Sequence, residues 1–384
     1  MRWLTLGVVL TLAAPTAAQR GNAPAANDPI RALVSQLTLD NYKATIKGLT
    51  QFGDRRAGTD RNRAAIDWIE TQLKSYGCTN TERLKYDYPI AGPRNTGAGG
   101  GRIRGTRVRT GVNNDPDAQP DAQIRALNSQ PAADGSREEV YCTKIGTTQP
   151  EQMYIVSAHM DGIGWGEAAN DDASGTALVM ELARILHSPG VQTDRSIRFI
   201  LWNNEETGLE GSRAYVAQRK DLQGKEDPPG SGRYPEPKWL GVIQHDMMLF
   251  DHGMPKADGT VSKDQRPEAD VNVEFQSNSR FAAESQALAW ALESANVAYA
   301  TDYPVTVGAH MQSTDSVSFQ ELAAAVSVRE NERGSQIGAG WDPHWHQPTD
   351  VFSTFSDADF RLGLNAAQTT LGALARLAGL RHTD

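Results

Sequence analysis

Short apolar runs of strand length punctuate this chain, and most are followed by a segment with helical spacing. EEVYCTKIG (138–146), MYIVSA (153–158), SIRFILW (196–202), WLGVIQH (239–245) and AAAVSV (323–328) are too short for buried helices and rich in β-branched and aromatic residues. After them come Leu178, Leu182, Ile185 and Leu186 on one helical face, then LEGSRAYVAQ (209–218), a helix near 281–295, and a closing helix from about Asp357 to Leu380. That closing helix carries Phe360, Leu364, Leu371 and Leu374 on one face. Strands that alternate with helices pack the helices over a mostly parallel sheet. The expected fold is therefore α/β, a three-layer sandwich with a largely parallel, mixed central sheet flanked by helices. No internal repeat is visible.

The remaining segments set the organisation. Residues 1–18 place Arg2 before an apolar run from Leu4 to Ala14 and then small residues, the pattern of a signal peptide, with cleavage expected near Ala18–Gln19. The chain from residue 19 to 384 then reads as one domain, secreted or periplasmic, with no later stretch apolar enough to span a membrane. Losing residues 1–18 removes one positive charge, Arg2, from a net charge of -9. An acidic chain of this kind argues against nucleic acid as a partner. Ile66, Ile69, Leu73 and Tyr76 mark an earlier helix that Gly77 is placed to end. Residues 92–137, rich in Gly, Asn, Pro and Asp, read as a surface insertion, and residues 220–237 as a Pro- and Gly-rich loop. In an exported chain Cys78 and Cys142 are expected to form a disulfide.

Functional groups in such folds gather at the carboxyl ends of strands, and four strand ends here carry similar side chains. His159, Asp161 and then Asp171-Asp172 follow MYIVSA; Glu205 and Glu206 follow SIRFILW; His245 and Asp246 close WLGVIQ. Beyond AAAVSV, a glycine-rich stretch ends in DPHWHQPTD, with His344 and His346. Imidazole and carboxylate are the ligands of a zinc site that keeps an open, catalytic position. Two adjacent carboxylates at the end of an apolar run are costly unless something positive lies beside them. From the residues alone, Asp172 competes with Asp171 but also suits a helix N-cap. His245 likewise competes with Asp246, and His344 with His346.

The set HMDG, NDDASG, NEETG, QHDM and HWHQPTD resembles metallopeptidase family 28, the secreted two-zinc aminopeptidases of the bacterial leucyl type. The same superfamily holds glutamate carboxypeptidases and glutaminyl cyclases. The resemblance covers residues 138–380 and, more loosely, 40–90; residues 92–137 match no pattern of the family. It implies a zinc exopeptidase fold with two zinc ions per chain, Asp171 bridging them, and His159, Glu206, Asp246 and His346 as the remaining ligands. It further implies Glu205 as general base, a cis peptide bond after Asp171, and Asp161 accepting the other ring N–H of His159. The activity implied is hydrolysis of N-terminal peptide bonds of peptides or proteins.

Around that centre the expectations are coarser. His310 falls where relatives place residues facing the substrate, or is a surface-loop histidine, and Asp315 in the same stretch suits a residue that supports the ligands from behind. In place of the cysteine pair and histidine that some relatives carry there, this chain has Ser316 after Asp315. Trp165, Met247, Met248 and Trp341 suit either an apolar subsite or the core. The loops at 220–237 and 251–270 are expected to wall the pocket. A carboxypeptidase would need cations for the substrate carboxylate, for which Arg329 and Arg333 are available. A glutaminyl cyclase uses a single zinc and fewer ligands, and a binding module would have no use for a base beside a ligand.

Overall fold

A computed structural model describes residues 27–88, 111–254, 256, 258, 260–266, 270–311, 313–330 and 342–382. The expected signal peptide, residues 92–110 of the insertion, Arg333 and Trp341 lie outside these residues. Eight helices are described: α1 (Pro29–Val34), α2 (Leu39–Thr50), α3 (Asp60–Ser75), α4 (Ala122–Asn128), α5 (Ala173–Leu186), α6 (Glu210–Arg219), α7 (Ala282–Tyr299) and α8 (Asp357–Leu377). Ten strands accompany them: β1 (Glu82–Tyr88), β2 (Gly135–Lys144), β3 (Gln149–His159), β4 (Val191–Thr193), β5 (Arg195–Trp202), β6 (Lys238–His245), β7 (Val271–Phe275), β8 (Val305–Gly308), β9 (Ala324–Arg329) and β10 (Leu380–His382).

Eight strands form one mixed sheet in the order β1-β2-β5-β3-β6-β9-β7-β8, while β4 and β10 make a separate antiparallel pair. The four central strands β5, β3, β6 and β9 are mutually parallel, and antiparallel pairings flank them. Side-chain alternation along each strand divides the core in two. Val156 and Ala158 on β3, with Phe199 and Leu201 on β5, join the apolar faces of α2, α3, α5, α7 and α8. Met153, Ile155, Ile200 and Trp202 face the other way, against Tyr215 of α6, Trp239 and Phe319. The rings of Trp202, Tyr215, Trp239 and Phe319 stack, tilt or meet edge to face at centroid distances of 5.2–6.2 Å. Sheet and two helical coverings give the expected three layers, one much thicker than the other.

Local signals explain the element ends. Thr59 caps α3 through Asn62 N, and Gly77, at φ 96, follows its end. Ser356 and Asp359 form a reciprocal capping box at the start of α8. Cys78 and Cys142 are bonded, tying the turn after α3 to β2. Among the described residues no helix is long and apolar enough to cross a membrane.

Three features differ from expectation. Strands β7 and β8 were not expected, because VNVEF and VTVG are only five and four residues long. The described part of the 92–137 insertion includes α4 and the start of β2. The loop 220–237 enters β6 at its amino end, whereas His159 and Asp246 lie at carboxyl ends of the parallel strands, so it cannot wall that site. Glu236 of this loop instead packs on Arg198, near the start of β5.

Candidate metal centre

The register of the parallel strands assembles the centre. His159 ends β3 opposite Trp202 of β5, and Ala158 pairs with His245 of β6. The segments leaving these strand ends, 203–206 and 246–248, therefore emerge beside His159. Asp171 comes from the loop before α5, and its peptide bond to Asp172 is cis, as the resemblance implies. His346 arrives from the loop that precedes α8.

Two donor sets meet at Asp171. His159 Nε2 lies 3.2 Å from Asp171 Oδ1 and 3.9 Å from Asp246 Oδ1. On the other side, His346 Nε2 lies 3.0 Å from Asp171 Oδ2 and 2.9 Å from Glu206 Oε2. The groups His159/Asp171/Asp246 and Asp171/Glu206/His346 each bring one donor atom per residue within 4.8 Å of the others. Glu205 also converges with His159 and Glu206 within that range. His159, Asp171, Asp246 and His346 are buried, while Glu205 and Glu206 are both half-buried as residues, with the Glu206 side chain only 4% exposed.

Electrostatics follow from this crowding. Burial opposes charge on His159 and His346, yet the facing carboxylates prevail and raise both, His346 to about 10. Burial and neighbouring acids push Glu205 well above the ordinary carboxylate range and Glu206 to about 7, although the histidines act the other way. Asp171 is drawn down despite its burial by both histidines, and Asp246 by Arg329 and His159. The donor set suits zinc: imidazole nitrogen and carboxylate oxygen, three per group, with one carboxylate placed to serve both groups. Dications there would offset the mutual repulsion of the carboxylates.

The alternative residues left open by the sequence have hydrogen-bond partners of their own. Asp172 caps α5, accepting Gly175 N at 2.8 Å, and its two oxygens also receive the N–H groups of His159 and Met247. His245 is buried, with Nε2 2.9 Å from Thr370 Oγ1 and Nδ1 3.1 Å from the Ser157 carbonyl. His344 Nδ1 pairs with Thr349 Oγ1 at 2.8 Å, away from the donors. The pairing expected between Asp161 and His159 is made by the main chain of Asp161. His159 Nδ1 lies 2.9 Å from the main-chain carbonyl of Asp161 and 3.9 Å from its Oδ1. That carboxylate instead accepts Glu205 N at 3.1 Å, because the chain turns straight after His159 and aims it at the neighbouring strand end. Asp161 thus holds the Glu205–Glu206 turn.

Residues 140–367, more than half of the chain, match the family described as Peptidase family M28. The chain belongs to this zinc metallopeptidase family. Among proteins it resembles, a probable zinc metalloprotease of Leptosphaeria maculans is 28% identical over 213 residues, covering 50% of this chain and 40% of that protein. Carboxypeptidase Q of Xenopus laevis is 34% identical over 76 residues, covering 20% of this chain and 16% of that one. The solved aminopeptidase from Aneurinibacillus sp. strain AM-1 shares the fold with TM-score 0.59 and 19% identity, over 92% of this chain and 97% of its own. The chain spans less than half the length of the curated relatives it matches.

Within this M28 chain the structure adds residues that the motifs did not single out. Arg329 ends β9 with its guanidinium 2.9 Å from Asp246 Oδ2, so the other oxygen of Asp246 is the one turned to His159. Asp350 accepts the N–H groups of Asn170 and Asp171 at 2.8 and 3.1 Å. Its place as the last residue of HWHQPTD was the available signal. Asn170 donates to Glu330 and Asp342 while its oxygen accepts Met248 N and Leu249 N. Met247 and Met248 are buried in the core rather than open to a ligand, His310 is exposed, and Asp315 is buried behind the site, where burial pushes it to about 7. The described part of 251–270 is anchored on α8, where Asp359 Oδ1 accepts the N–H groups of Asp251 and His252.

Proposed function

We propose that the protein is an exported aminopeptidase that holds two zinc ions and hydrolyses the N-terminal peptide bond of peptides or proteins. The observation that carries this is the pair of donor sets sharing Asp171, with Glu205 beside them, converging on His159 and Glu206. Bound zinc polarises a carbonyl oxygen and acidifies water in such a site. His159 and Asp246 would hold one ion and Glu206 and His346 the other, with Asp171 available to both. Glu205 accepts the proton of the attacking water and returns it to the departing amine. Asp161 sets the direction of Glu205 by bonding its main-chain N–H.

Two observations weigh against the rivals. A carboxypeptidase needs a cation for the substrate carboxylate, and Arg329 is buried between Asp246 and Glu274, committed to acids of the protein itself. A glutaminyl cyclase of the single-zinc kind would have no use for a second donor set around Asp171. Export is proposed from the leader pattern of residues 1–18; neither nucleic acid nor a membrane is proposed as a partner.

Purified protein should lose activity on aminoacyl-nitroanilides with a chelator and regain it with zinc, at two ions per chain. N-acetylated peptides should be poor substrates. Equal cleavage of blocked and free peptides, or activity that survives metal removal, would refute the aminopeptidase reading.

A further inference from the structure

The insertion that matches no pattern of the family reaches the metal centre. Gln119, 2% exposed, donates its amide N–H groups to the carbonyls of Trp165 at 2.7 Å and Pro348 at 2.9 Å. Its side-chain oxygen accepts Asp121 N at 3.0 Å, which fixes the amide orientation, and its own carbonyl accepts Arg125 at 2.7 Å. One buried side chain thereby joins the insertion to the loop after β3 and to the loop that carries His346. Two further bonds reach the same loop: Asn113 N donates to the His346 carbonyl at 3.0 Å, and Gln347 Nε2 to the Gly111 carbonyl at 2.8 Å. Residues 346, 347 and 348 are each held by the insertion.

His346 needs such support. Its φ of 56 is a left-handed conformation that a residue with a side chain adopts only when its surroundings hold it. Gly164, at φ 101, lets the 160s loop lie directly on the His346 main chain, where a Cβ would collide with the His346 carbonyl group. Gln119 bridges these two loops through the Trp165 and Pro348 carbonyls.

We propose that Gln119 is a positioning residue for His346, so that the insertion tunes one of the two metal positions. This rests on the reading of His346 as a zinc ligand. The effect is local: Gln119 bonds neither β6, which ends beside Asp246, nor the β3 strand end that carries His159. Loss of supporting partners of metal ligands weakens affinity by roughly 10–100-fold. Because Gln119 acts on the main chain of the ligand, the lower end of that range is expected.

Zinc affinity should be measured by competition with a chelating indicator on the full chain in two backgrounds. Asp246→Asn leaves the Asp171/Glu206/His346 donors intact, and Glu206→Gln leaves His159/Asp171/Asp246. Gln119→Met should weaken zinc by about tenfold in the first background and by less than about twofold in the second. Equal losses in both, or none in either, would overturn the proposal, since a purely structural role would not distinguish the positions. Should Gln119→Met fail to fold, Gln347→Ala, which removes a half-buried tether, is expected to show the same contrast, and its absence would overturn the proposal equally. A wild-type protein that binds no zinc would overturn the proposed function and this inference with it. Wild-type binding of two zinc ions without the contrast would overturn this inference alone.

Discussion

Glu205 and Glu206 are neighbours in sequence and should differ in kind under one conservative change. Asn204, at φ 61, opens a tight turn in which the Glu205 carbonyl accepts the N–H groups of Gly208 and Leu209, so the two side chains leave at different angles. Both oxygens of Glu206 lie close to His346 Nε2, at 2.9 and 3.1 Å, inside a donor set of three. Glu205 stands outside both donor sets that share Asp171. Glu205→Gln keeps size and hydrogen bonding but cannot take a proton. General-base catalysis contributes about 10²–10⁴ in rate, or roughly 3–5 kcal/mol of barrier. Its kcat should fall by that factor while zinc content stays near that of the wild type. Glu206→Gln removes an anionic donor from a set of three, a larger perturbation than the 10–100-fold effect of outer partners. It should lose zinc first, with activity partly restored at high zinc. The assay is bound zinc after gel filtration together with kcat at several zinc concentrations. Zinc lost by Glu205→Gln and retained by Glu206→Gln would reverse the roles and refute the reasoning. The group formed by His159, Glu205 and Glu206 is the geometry that such a reversal would favour.

Two further predictions concern stability. Arg198 and Glu236 form a fully buried ion pair on the thinner side of the sheet, and Glu236 also accepts from Tyr215 and Trp239. Glu236→Ala strands the guanidinium and should cost about 3–5 kcal/mol, whereas Glu236→Leu with Arg198→Met should recover most of it; urea denaturation of both variants decides, and a single-variant loss below about 1 kcal/mol would refute the claim. At the surface, partial burial works against charge on Glu70, but hydrogen bonds from Lys74, Arg83 and Thr81 outweigh it and lower its pKa to about 2. A folded value below the unfolded one gives stability that is present above about pH 4.5 and lost as pH falls toward 2. The stability difference between wild type and Glu70→Gln should therefore shrink over that interval, and a pH-independent difference would show that the bonds do not act through the charge.

The parts legible in the sequence were those with one-dimensional signals. Runs such as SIRFILW and MYIVSA announced the central strands, because a strand buried on both faces is apolar throughout. Of the candidate donors, His159, Glu206 and Asp246 were legible because they sit at or just past the ends of such runs, and parallel register then brings the strand ends together, whereas Asp171 and His346 come from loops further along the chain. The edge of the sheet was not legible: VNVEF and VTVG are too short to show a period, and β7 gains its place by pairing with β9 and β8. Loop direction was also hidden. Residues 220–237 looked like a pocket wall from their distance to Asp246 along the chain, yet an eight-residue strand carries the two to opposite ends of the sheet. The contact between His159 and Asp161 was legible as a pairing of residues but not as a choice of oxygen, since a turn decides which oxygen faces the ring and no spacing rule reports it.

Backbone strain around the centre points to why so much buried polarity surrounds it. Asn204 precedes Glu205, Met247 follows Asp246, and His346 is itself a donor; all three have φ near +60. Such conformations cost about 1–3 kcal/mol each where no glycine is used. The bonds that hold them are main-chain ones. Asp161 receives Glu205 N, Asp172 receives Met247 N, and Asn113 N donates to the His346 carbonyl. Each strained turn is thus fixed by a group that does not itself enter the donor sets. This division lets the donor oxygens and nitrogens remain free for a cation while their directions are set by neighbours. It follows that changes at Asp161, Asp172 or the insertion should disturb the centre through geometry, and changes at Asp171 or Asp246 through charge.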